Sequence, residues 1–154
     1  MIDSLRRMRA LMVGMVVAFA ISLMVENVVY RAYPPGEGFT VGDPEAMGVY
    51  VATLADGGFV LMIVGWAFSA FVGGLIACLF GRQDLPRLVG VVTFAVLAGS
   101  VTNFVMVDYP TWVTTSAVFA TLLAGLGTLA LARRMGLDRK PEAPKVAAPP
   151  KAKR

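Results

Sequence analysis

One carboxylate and two amides interrupt otherwise apolar runs: Glu26, Asn27 and Asn103. The two asparagines are the only ones among the 154 residues. A carboxylate can carry a proton or hold a cation, and an amide can orient a ligand from either its oxygen or its nitrogen. Polar groups within a bilayer are costly, so a function is one explanation for finding them there. Hydrogen bonding between helices is the other, and it contributes only about 0.6 kcal/mol per bond on average. Glu26 lies close enough to the end of its run to reach headgroups or to pair with Arg31. The sequence leaves both readings of these three residues open.

Other chemistry is largely excluded. The chain has no histidine, and Cys78 is its only cysteine. An intramolecular disulfide is impossible, and a nitrogen and sulfur metal site lacks ligands. Cys78 sits deep in an apolar run and reads as a small buried hydrophobe. No nucleophile elbow, zinc-protease motif or phosphate-binding loop is present. No enzyme activity, cofactor or metal is therefore expected.

The elements that must position Glu26, Asn27 and Asn103 are membrane helices. Hydrophobic residues make up 57% of the chain and charged residues 16%, with a mean hydropathy of +0.71. A soluble domain of this size could not bury so much apolar surface. The charges are gathered into short blocks that separate four long runs, expected as helices over about 11–30, 59–80, 88–107 and 112–132. A run of ~20 residues spans about 30 Å as a helix, the thickness of a hydrocarbon core. The first run continues through Met24 and Val25 beyond the cleavage-like Ala18-Phe19-Ala20, so a retained helix is expected rather than a signal peptide. Counted from the inner ends of their helices, Asn27 and Asn103 both lie roughly 23 Å up. Glu26, Thr102, Thr114, Thr115 and Ser116 fall near the same level.

The loop 31–57 contains Pro34-Pro35-Gly36, which stops the first helix. Asp43-Pro44-Glu45 then has the signature of a helix start: a capping Asp, a first-turn Pro and an acid near the positive helix end. A short amphipathic helix carrying Met47, Val51 and Leu54 is expected on the membrane surface, ending near Asp56-Gly57-Gly58. Asp84 and Pro86 suit the start of the third long helix.

The second run carries a small residue at every fourth position: Gly65, Ser69, Gly73, Ala77 and Gly81. That spacing forms one slowly drifting stripe on a helix. In lipid, small residues allow close backbone approach, so the stripe reads as a packing spine. Gly14, Ala18 and Ser22 form a similar stripe on the first helix, Gly90, Ala95 and Gly99 supply small positions on the third, and Ser116, Ala120, Ala124, Thr128 and Ala132 line the fourth.

Charge sets the expected topology. With the N-terminus in the cytoplasm, thirteen basic residues lie on the inner side and only Arg31 outside. This is a strong positive-inside pattern. Both termini are expected in the cytoplasm of a bacterium and the 31–57 loop in the periplasm. Tyr30, Tyr33, Tyr109 and Trp112 then fall at the outer interface. Residues 133–154 hold eight Lys or Arg, two acids and four prolines, the composition of a disordered tail. Such a tail is attracted to anionic inner-leaflet lipid. It has no interleaved aromatic residues to stack bases, so nucleic acid is not an expected partner.

Tyr33-Pro34-Pro35-Gly36, Asp43-Pro44-Glu45-Ala46, Ala52-Thr53-Leu54, Gly65-Trp66-Ala67 and Gly73-Gly74 form a pattern that resembles a group of small four-helix bacterial inner-membrane proteins of uncharacterised function. Asn103 and Pro110-Thr111-Trp112 look like part of the same pattern. The resemblance covers about 11–132 and implies a fold and a compartment, with no catalytic residues. A weaker comparison is with small multidrug exporters, which also have four helices and one membrane carboxylate in the first. Here Glu26 is too near its helix end, and the first link is too long.

The expected organisation is all-α: a basic N-terminus (1–10), a four-helix transmembrane bundle (11–132) and a basic tail (133–154). Two functions follow from it. The first is a non-enzymatic accessory subunit whose small-residue faces and outer loop dock a larger membrane assembly or further copies of itself. The second is a small transporter or ligand-binding protein using Glu26, Asn27 and Asn103.

Overall fold

A computed structural model describes residues 2–82 and 84–138. It contains α1 (Ile2–Ala32), α2 (Pro44–Thr53), α3 (Asp56–Gly81), α4 (Leu85–Met106) and α5 (Thr111–Arg134), with no strand among the described residues. α1, α3, α4 and α5 are each long and apolar enough to cross a membrane. The shortest of these, α4, has 22 residues, or roughly 33 Å of helix. α1 is longer than its apolar run, because the segment bearing Arg6, Arg7 and Arg9 continues the same helix.

α3 is the axis of the bundle, packing against α1, α4 and α5. Its residues Gly65, Ser69, Gly73, Ala77 and Gly81 are all buried. At Gly73 a Cβ would fall 2.6 Å from Ala18 Cβ and 2.7 Å from the Gly14 carbonyl oxygen. A Cβ on Gly14 would in turn fall 2.7 Å from the Gly73 oxygen and 2.8 Å from Ala77 Cβ. The two backbones can approach this closely only because neither residue has a side chain. One turn further along, Ser22 Oγ donates to Ser69 Oγ at 3.1 Å, and Ser69 Oγ donates to the Trp66 carbonyl at 2.8 Å. Gly65 admits the Val25 side chain, and Gly81 admits Leu88 of α4. The spine is therefore occupied within the chain, mostly by α1.

α5 lies on the other side of α3. Thr128 Oγ1 donates to the Phe71 carbonyl at 3.1 Å, and its methyl lies over Gly74. The buried stripe of α5 is Val113, Ala117, Thr121, Gly125, Thr128 and Ala132. Of the stripe expected from sequence, Ser116, Ala120 and Ala124 are only half-buried. The buried stripe takes one three-residue step, from Gly125 to Thr128, so its earlier members fall one position later than the strict every-fourth pattern. α5 ends in a Schellman cap: Gly136 takes φ 67°, Leu137 N–H donates to the Ala132 carbonyl, and Gly136 N–H to Arg133. Arg133 and Arg134 thus belong to the helix. The part of the expected tail from 139 onward lies outside the described residues.

Two ends of the bundle differ chemically. At the arginine end, Arg7 pairs with Asp84 at 2.8 Å. Asp84 occupies the N-cap position of α4, but with φ 51° its carboxylate makes no cap bond and turns to Arg7 instead. At the loop end, Asp43 caps α2 by accepting from Glu45 N–H at 3.0 Å, and Pro44 opens the helix. α2 ends at Thr53, earlier than expected. Asp56-Gly57-Gly58 do not terminate it; they form the first turn of α3, because Leu54 packs on Gly58 and the Tyr33 hydroxyl on Gly57.

α2 is held to the bundle by side chains rather than by close helix approach. Tyr30 of α1, Phe39 of the loop and Tyr50 of α2 form a closed triad, each pair 5.4 Å between ring centroids. Tilted aromatic pairs of this kind contribute about 0.5–1.5 kcal/mol beyond area burial. Tyr50 Oη donates to the Tyr33 carbonyl at 3.0 Å, and Tyr30 Oη reaches the Met47 sulfur at 3.6 Å.

Two predictions follow from this packing. Gly73→Leu forces its side chain into the Gly14 carbonyl and Ala18, an overpacking that costs about 1–3 kcal/mol or more. In mild detergent its thermal midpoint should drop by several degrees, while Gly90→Leu, whose Cβ meets nothing within 4 Å, should leave the midpoint in place. Equal midpoints would mean that α1 and α3 do not meet at Gly73. The second concerns Tyr50, whose phenol is pushed up from 10.0 to about 12 by burial and then by the neighbouring Tyr30. The neutral phenol is the form favoured in the fold, so its contribution to stability is complete below pH 10.0 and is lost as pH rises to about 12. Tyr50→Phe should remove a step near pH 12 from an ultraviolet phenolate titration, leaving the later Tyr109 step in place, and should flatten the loss of stability over that window.

Candidate functional site

Glu26 lies on α1 one turn before the end of the apolar run, and Asn103 one turn before the end of α4. The fixed α1–α3 seam and the packing of α4 on α3 bring both to one place. They line the same cavity, of about 190 Å³, together with Tyr30, Met62, Met106 and Tyr109. Val41, Gly42, Pro44 and Met47, from the loop and α2, complete it. The pair also lines a second cavity of about 160 Å³, deeper in the bundle, with Phe19, Ser22, Leu23, Trp66, Val96, Gly99 and Ser100. Glu26 and Asn103 are thus shared by both spaces.

Asn27 is not brought to this place. It is exposed, and its Nδ2 donates to the Leu23 carbonyl of its own helix at 3.0 Å. The reason is rotational: adjacent residues on a helix are about 100° apart, so Glu26 facing α4 turns Asn27 outward. The hydroxyls expected at the same level are also absent from both linings. Thr102 donates to the Ala98 carbonyl, Thr114 to Pro110 and Thr111, and Thr115 to Thr111, each within its own segment. Ser116 lines neither cavity.

The residues that sequence reasoning passed over as site members are aromatic and thioether side chains. Tyr30 follows Glu26 by four positions, Met106 follows Asn103 by three, and Trp66 follows Met62 by four. Each pair shares a helix face, so the signal was present in the spacing. A continuous aromatic ladder backs the site: Trp66 to Phe104 at 5.5 Å, Phe104 to Tyr109 at 5.2 Å, Tyr109 to Phe59 at 6.2 Å and Phe59 to Trp112 at 5.9 Å. Trp66 is 3% exposed, so this ladder fixes the wall behind the deeper cavity.

The electrostatics are simple. Among the described residues, Glu26 is the only charged one lining either cavity. Of the two options the sequence left for Glu26, the pairing with Arg31 is not formed: among the described residues the ion pair within 4 Å is Arg7–Asp84, at the opposite end. Burial first, and then Tyr30, Glu26 and Tyr50, push the Tyr109 phenol up, so Tyr109 stays neutral and able to donate. Ser22 and Ser100 spend their hydroxyl protons on Ser69 and on the Val96 carbonyl. No group of three or more His, Cys, Asp or Glu that could hold a metal ion occurs among the described residues. The arrangement offers one carboxylate, one amide, phenols, aromatic rings and thioethers. That set can bind a positive charge.

Set against protein-family models, curated proteins and solved structures, the chain finds no match.

Proposed function

We propose that this chain is a non-enzymatic membrane protein of the bacterial inner membrane that binds a small cation in the cavity lined by Glu26 and Asn103. The observation that carries the reading is the presence of one carboxylate, unpaired among the described residues, in a cavity otherwise lined by uncharged groups. A carboxylate out of water needs a counter-charge or a proton. Tyr30 and Tyr109 add aromatic rings, which attract cations, and Asn103 adds an amide. At about 190 Å³ the space is below the roughly 300 Å³ at which drug-sized sites begin, so the ligand is small. The distribution of basic residues supports cytoplasmic termini, a periplasmic loop end, and a basic tail attracted to anionic lipid.

The accessory-subunit reading draws less support from the geometry. Its docking faces are the small-residue stripes and the outer loop, and α1 already covers most of the stripe on α3 within the chain.

Calorimetric titration of the detergent-solubilised protein with sodium, potassium and tetramethylammonium tests the proposal. One of these should bind, and Glu26→Gln should abolish the heat. Asn103→Ala should weaken binding about tenfold, the effect of losing one hydrogen bond near a charge. Asn27→Ala should bind as the parent does. No binding by any probe, or equal binding by Glu26→Gln, would overturn the reading, and a stoichiometric larger membrane protein co-purifying with the chain would restore the accessory-subunit one.

A further inference from the structure

At the arginine end, α1 and α3 border a groove of about 370 Å³. Leu5, Ala10 and Val13 of α1 and Phe80 of α3 form its apolar wall, and Arg6 and Arg9 stand on its rim. We propose that this groove is a binding site for one anionic phospholipid, with an acyl chain against Phe80 and Val13 and the phosphate held by Arg6 and Arg9.

The two arginines are available for this task, and their neighbour is not. Arg7 is paired with Asp84. Among the described residues Arg6 uses only Nε, which donates to the Phe80 carbonyl at 3.3 Å and so holds the guanidinium at the groove with its two terminal nitrogens unbonded. Arg9 makes no hydrogen bond or ion pair among the described residues. Arg6 and Arg9 are three positions apart, neighbours on one helix face, and the forked geometry of two guanidiniums matches phosphate oxygens. The wall below them is apolar and continuous with the exposed hydrophobic surface of α1 and α3: Val13 is 38% exposed and Phe80 57%.

Phosphate above and hydrocarbon below is the chemistry of a phospholipid at a membrane boundary, and basic pockets between transmembrane helices on this side of a bilayer hold such headgroups. Other occupants fit less well. The chain's own C-terminal segment carries an excess of Lys and Arg and would meet like charge. A second copy related by two-fold symmetry would set these arginines against each other.

The test uses the full-length protein in mild detergent and measures lipid retention by native mass spectrometry. Phosphatidylglycerol and phosphatidylcholine of identical chains are compared, with inorganic phosphate as competitor. Phosphatidylglycerol should be retained preferentially, at one per chain. Arg6→Gln with Arg9→Gln should weaken its retention by about thirtyfold, the worth of two near-surface charges. Arg87→Gln with Arg134→Gln, the same change in net charge elsewhere at this end, should leave retention within about twofold of the parent. Arg9→Gln alone breaks no bond in the fold and should weaken retention by about fivefold, which keeps the test decisive if the double variant is unstable. Equal retention of the two lipids, equal losses in both double variants, or full displacement by inorganic phosphate would each overturn the site. None of these outcomes bears on the cation site at the loop end.

Discussion

The close approach of α1 and α3 at Gly14 and Gly73 is the constraint on which the rest of the bundle depends. Helices in lipid gain little from the hydrophobic effect, because the surrounding chains are as apolar as the side chains. They gain from contact, and contact grows as backbones come together. Gly14 and Gly73 permit it reciprocally: each lies where the other's missing Cβ would clash with a carbonyl oxygen. Ala18 and Ala77 fill the adjoining turns, and the Ser22–Ser69 hydrogen bond locks the register above them. That register leaves α1 no freedom to rotate or slide, and so it fixes where Glu26 points.

The same seam explains why a cavity lies beside Glu26. The small residues of α1 are used against α3, so what α1 presents to α4 is bulkier. Phe19 and Leu23 line the boundary, and Phe19 approaches Gly99 of α4 at 3.7 Å from where a Cβ would stand. Rings and branched chains hold α1 and α4 apart where glycines would have drawn them together. The space left between them carries Glu26 from one side and Asn103 from the other. α2 roofs the adjoining outer cavity, held there by the Tyr30–Phe39–Tyr50 triad, which joins three separate segments at equal spacing.

Much of this was legible in the residues. Four apolar runs became four long helices, and Asp43-Pro44 marked the start of α2 to the residue. What periodicity could not supply was rotation. Depth along a helix follows from counting, so Asn27 and Asn103 fell at one level. Azimuth depends on which face the neighbour takes, and Asn27 faces away. The stripe on α5 slipped for the same reason: the face that meets α3 and α4 takes one three-residue step, from Gly125 to Thr128, which spacing alone does not locate. Gly57 and Gly58 misled differently. Glycine reads as a stop when nothing packs on it, yet here Tyr33 and Leu54 occupy the room that its missing side chain leaves. Only tertiary contact distinguishes those cases. The aromatic and methionine lining of the cavity escaped notice because such residues are unremarkable in an apolar run until a charge is placed beside them.

The two ends of the bundle now have opposite chemistry for a shared physical reason. At one end the chain leaves a carboxylate facing a cavity without a cation among the described residues; at the other it leaves two arginines at a groove without an anion. Asp84 could have capped α4, and Arg31 could have reached Glu26, but the first serves Arg7 and the second makes no such pair. Among the described residues, pairing has therefore been completed only where a turn must be held, between α1 and the start of α4. The charges left over stand at the two levels where the helix ends meet polar surroundings. There an external ion or headgroup can supply the missing partner at lower desolvation cost than at the bilayer centre. An unpaired charge at such a level leaves room for a partner that comes and goes, which a completed internal salt bridge would not.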